Sequence, residues 1–282
     1  MRSAPRFRKI ILGLRPGTID RAAIEFLAEV AGSLGAALQG VFIEDESLKE
    51  AAAASPMREF QLLNREWRTV DADRMAEELE LAARSAKRLL EEITLERGVE
   101  SVFEVLARES VAEFLRLAQP RDIVVVTSPD YLPERLAMPA SQFEASSEGL
   151  STTMLLPKRV MRRKGPVVGM ALTGDSTLRV AASIAQAVGE RLLFFVPEAR
   201  TDDKVFTEAL RAVDVGCNDI ELHRLSNIDT RSFLAALEPL QERVIVLPRL
   251  HSDAVGYIDP AKVASRRLAP VMIVDPFATF ES

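Results

Sequence analysis

Cysteine is almost absent from this sequence. Cys217 is the single one in 282 residues, which excludes an intrachain disulfide and fits a reducing compartment. Histidine is nearly as scarce. With only His223 and His251 there are too few nitrogen and sulfur ligands for a zinc site, which wants four, or three plus water. No apolar run approaches the ~18 residues of a membrane-spanning helix. The first residues, MRSAPRFRK, are basic but lack an apolar stretch behind them, so no signal peptide is expected and the protein reads as cytoplasmic. Positive charge is not in excess: 36 Lys and Arg against 42 Asp and Glu give a net charge of −6. That balance gives no general reason to expect nucleic acid or an anionic membrane as partner.

Glycine is missing where a nucleotide-binding α/β domain would need it. The stretch DIVVVTSPDYLPERLAMPASQF (122–143) begins as a buried strand, with Ile123, Val124, Val125 and Val126. It then supplies Thr127, Ser128 and three prolines, Pro129, Pro133 and Pro139, with no glycine. Each proline lacks the backbone N–H that would bind phosphate.

What the sequence does have is a repeated order of short apolar runs and helix-period segments, the pattern of a parallel sheet covered by helices. KIILGL (9–14) is a strand. After it Ile24, Leu27, Ala31, Leu34 and Leu38 mark a helix face, and QGVFIED (39–45) is the next strand. A long helix is expected from about Asp71, with Met75, Leu79, Ala82, Ala86, Leu89 and Ile93 on one stripe and Gly98 beyond its end. SVFEVLA (101–107), DIVVVT (122–127) and TTMLLP (152–157) complete five strands. The order then recurs in PVVGMAL (166–172), RLLFFVP (191–197), DIELHRL (219–225), RVIVLP (243–248) and PVMIVDP (270–276). The fold class expected is α/β: two tandem five-stranded parallel-sheet units, 1–160 and 165–282, with helices on both faces. KRVMRRK (158–164) between them reads as a solvated linker. The first unit carries an insertion, 46–70, in which Phe60, Leu63 and Trp67 recur at helical spacing. A helical insertion is expected there, with an apolar edge for its own domain or for a partner.

The strand order, the phrase VFIEDESL (41–48) and the closing phrase PAKVASRRLAPVMIVDP (260–276) resemble the universal stress protein family in its tandem form, over nearly the whole chain. The closing phrase is similar to the family's last helix, running through Ala-Pro into a Val-rich edge strand. The resemblance implies the adenine nucleotide alpha hydrolase-like fold and a non-enzymatic stress-response or regulatory role. It also implies that an edge strand of one unit pairs with its counterpart. TTMLLP and PVMIVDP are the candidates, and pairing them within the chain would give a pseudo-dimer; a protein partner or a homodimer through the insertion around Trp67 is compatible with the same reading.

ATP-binding members of that family carry an Asp at the end of the first strand and a glycine loop ending in Ser or Thr after the fourth. The Asp can accept hydrogen bonds from the nucleoside, and the glycines let the backbone approach the phosphates. Here the Asp position falls near Arg15 in the first unit and near Leu172 in the second. The glycine loop becomes 127–143 in one half and LPRLHSDAVGYIDP (247–260) in the other, with Gly256 alone. ATP or AMP as cofactor is therefore disfavoured in either half.

The remaining ligand candidate is TGDST: Thr173, Gly174, Asp175, Ser176 and Thr177. It sits at the carboxyl end of a strand and opens a helix, where ligands of open α/β sheets bind and amides and hydroxyls could hold an anion. The competing reading is a helix N-cap. The segment also resembles, in part, the SGG-x-DS loop of ATP pyrophosphatases, which leaves a nucleotide hydrolase-like enzyme as a third possibility. Arg15 in RPGTID (15–20) could meet a phosphate or carboxylate; otherwise Pro16 and Gly17 make a turn and Thr18 caps the helix. His251 beside Ser252 and Asp253 is no triad, because those groups must converge from separate elements. No catalytic or metal set is expected.

Overall fold

A computed structural model describes residues 7–16, 20–44, 58–61, 65–69, 72–106, 117–119, 121–127, 152–157, 164–170, 172, 176–198, 207, 210–211, 219–250, 254 and 256–275. The first half contributes strands β1 (Lys9–Leu14), β2 (Ala37–Ile43), β3 (Arg58–Gln61), β4 (Glu66–Thr69), β5 (Ser101–Leu106), β6 (Ile123–Thr127) and β7 (Thr152–Leu156), with helices α1 (Arg21–Leu34) and α2 (Ala72–Glu96). The second contributes β8 (Val167–Met170), β9 (Leu192–Pro197), β10 (Ile220–Leu225), β11 (Val244–Pro248) and β12 (Val271–Val274). Its helices are α3 (Ser176–Val188), α4 (Thr230–Leu237) and α5 (Pro260–Arg267).

Ten of these strands form one sheet in the order β10-β9-β8-β11-β12-β7-β6-β1-β2-β5. Read outward from the centre, each half has the same order, and every neighbour within a half is parallel. The halves meet where β7 and β12 pair antiparallel, with Val271 opposite Leu155 and Val274 opposite Thr152. These are the two strands whose apolar sequences needed a partner. They occupy the middle of the sheet, and β5 and β10 are its edges.

One face of the sheet carries a single core that runs through both halves. Ile10, Leu12, Leu38 and Phe42 from the first half join Val167, Phe194 and Val246 from the second, under apolar faces of α1, α2 and α3. The opposite face of the second half is closed by Phe233 and Leu237 of α4 and Val263 and Ala264 of α5. Covering both faces is why the central strands can be uninterrupted runs of Val, Ile and Leu. Helix α2 turns its stripe slightly from the expected one, burying Leu79, Ala83, Ala86, Leu90 and Ile93, with Ala82 and Leu89 at the margin. At Gly169 the Phe194 ring occupies the space a side chain would need: a Cβ there would lie 2.2 Å from Phe194 Cε2.

Two expectations are corrected. The insertion is not helical where it is described: Arg58–Gln61 and Glu66–Thr69 form an antiparallel hairpin with Phe60 opposite Trp67. A separation of seven residues fits both a helix face and opposite positions of a short hairpin. The hairpin wins through an aromatic cross-strand pair, ring centroids 5.3 Å apart, and leaves Arg65 at φ 53° before β4. Leu63 lies outside the described residues. Second, α1 is capped by Asp20, whose Oδ1 accepts from Ala22 N at 2.9 Å; Thr18, the expected cap, lies outside the described residues.

A buried carboxylate precedes the fourth strand of each half. Asp122 accepts from Arg8 Nε at 2.9 Å, Arg8 Nη2 at 2.5 Å and Gln119 N at 2.9 Å. Glu242 accepts from Arg267 Nε at 2.8 Å and Nη2 at 2.9 Å. Both acids are fully buried, so the bidentate arginines are what make that burial tolerable. The same contacts raise the Arg8 and Arg267 guanidiniums above their ordinary values, with hydrogen bonding as the leading cause.

Candidate functional site

In an open parallel sheet the loops after the first and fourth strands of a unit share its carboxyl edge. In the second half these loops follow β8 and β11. Leu172 stands two residues past β8, half-buried, and Gly256 lies in the loop after β11 at φ 86°. A Cβ at Gly256 would sit 3.3 Å from Ile228 Cγ2 and 3.6 Å from Leu172 Cδ1. The loop backbone thus rests on two aliphatic side chains, and both pack onto the core of that face. Glycine is needed here both for the left-handed backbone and for the close approach.

The neighbouring polar groups are tied to the sheet. Arg249, directly after β11, donates its backbone N–H to Val274 O at 2.7 Å. Its Nη2 donates to Thr153 Oγ1 of β7 at 2.9 Å. This contact links the two halves between residues 96 apart, a distance at which no sequence pattern signals it. Tyr257 N donates to Ala254 O at 3.1 Å, and Asp259 caps α5 by accepting from Lys262 N at 3.0 Å.

Of the TGDST candidates, Ser176 and Thr177 open α3 and are buried, whereas Thr173, Gly174 and Asp175 lie outside the described residues. Thr177 Oγ1 is buried and has no hydrogen-bond partner among the described residues. Arg15 stands immediately after β1, half-buried, followed by an exposed Pro16. The carboxyl ends of the two halves point in opposite directions, because β7 and β12 are antiparallel, so Arg15 and Thr177 belong to separate edges. The loop 128–143, His251, Ser252, Asp253 and Cys217 lie outside the described residues. His223 is on the edge strand β10, 3.1 Å from Glu221 Oε1 and with its ring 5.3 Å from Phe195. No group of three metal-ligating side chains occurs among the described residues, and no helix there is long and apolar enough to cross a membrane.

A universal stress protein from Archaeoglobus fulgidus superposes with a TM-score of 0.56 at 13% identity, over 95% of this chain and 96% of that one. The chain has the universal stress protein fold. A putative universal stress protein from Pseudomonas aeruginosa gives a TM-score of 0.55 at 12% identity, over 96% and 94% of the two chains. A protein of unknown function from Pseudomonas aeruginosa gives 0.52 at 12%, over 96% and 93%. No protein-family model matches the sequence, and no curated protein does. Agreement of the universal stress fold at such low identity rests on strand order and on alternating runs of apolar residues, which many sequences satisfy.

Proposed function

We propose that this chain is a non-enzymatic stress-response or regulatory protein of the universal stress type, cytoplasmic, that works without ordinary ATP binding. The observation that carries the reading is the contact of Leu172 and Ile228 with Gly256. In ATP-binding relatives the position near Leu172 holds an Asp that can accept hydrogen bonds from the nucleoside. A leucine can accept none, and here aliphatic groups lie against the backbone of the loop that would have to close on phosphate. The prolines of 128–143 weaken the equivalent loop of the first half in the same sense.

The test is thermal unfolding of the full chain with ATP, AMP, cyclic nucleotides and organic acids. A ligand at a hundredfold its dissociation constant adds about 2.7 kcal/mol of stability. No shift with any nucleotide is the expected result; a clear shift with ATP overturns the proposal. A second reading, a sensor that binds a nucleotide or other anion at the carboxyl edge of one sheet half, is favoured by the buried Thr177 hydroxyl at the start of α3, which has no hydrogen-bond partner among the described residues. A shift abolished by Gly174→Val would select it. Turnover of ATP, lost on Asp175→Asn, would instead select a nucleotide hydrolase-like enzyme.

A further inference from the structure

We draw no further inference here: the strongest candidate, the exposed aromatic patch that Phe60 and Trp67 form on the β3–β4 hairpin, carries nothing because nothing in the structure shows what covers it.

Discussion

Arg243, immediately before β11, reaches across the boundary between the halves and pairs with Glu29 on α1. Glu29 also receives Arg97 Nη1 from the turn after α2 at 3.6 Å, and Arg243 Nη1 lies 3.4 Å from Glu190 Oε1. Arg243 and Glu29 side chains are only 17% and 20% exposed, and burial lowers the Arg243 guanidinium from its ordinary value. The four charges form a chain that ties the α1–α3 side of the sheet together, beside the continuous core.

A double-mutant cycle on Arg243→Ala and Glu29→Gln should therefore give a coupling between about 0.5 and 3 kcal/mol, read from urea unfolding. Because one core spans both halves, the wild type should unfold in a single transition. A coupling of zero would remove the pair from the account of how the halves are held.

Arg267→Ala leaves Glu242 buried without its cation and should cost roughly 3–5 kcal/mol. Replacing both residues with apolar side chains of similar volume should recover most of the loss, since the pair offsets its own desolvation rather than adding much beyond it. Chemical denaturation of the two variants decides between this and a simple packing role for the Arg267 stem.

Gly169→Ala should destabilise by about 1–3 kcal/mol, because the new methyl would meet the Phe194 ring in a filled core. Adding Phe194→Leu to it should recover part of that. If the single variant melted like the wild type, the close approach of β8 and Phe194 would be wrong.

Asp229 caps α4, accepting from Ser232 N at 2.8 Å and Ser232 Oγ at 2.9 Å. Those bonds, the backbone one first, hold its carboxyl below the ordinary value of 3.8. A depressed folded value means the contribution is present above 3.8 and is lost as the pH falls through the folded value. The melting temperature of the wild type should exceed that of Asp229→Asn at neutral pH, and the gap should narrow below pH 3.8. A gap that is constant with pH would show the carboxylate charge to be irrelevant.

The repeated strand order was legible because each central strand is buried on both faces, and an uninterrupted Val and Ile run has few other uses. KIILGL, DIVVVT and RVIVLP announce themselves for that reason. Phe60 and Trp67 were misleading because seven residues is a helical repeat and also spans a tight hairpin, and only the partner across the turn distinguishes them. Thr18 and Asp20 both stand in sequence that suits a helix cap, and Asp20 takes the position because where the helix starts is set by packing of Ile24 and Leu27 on the sheet.

The sequence by itself determined the α/β class, the two-fold repetition, the apolar strands and the absence of the Asp and glycine loop on which family-type ATP binding rests. These are local properties of composition and period. The tertiary structure decided which strands are edges, that TTMLLP meets PVMIVDP in the centre, and that Leu172, Ile228 and Gly256 converge. It also joined Arg243 to Glu29 and Arg249 to Thr153. Those relationships depend on how parallel crossovers bring distant segments together, and no short stretch of sequence encodes them.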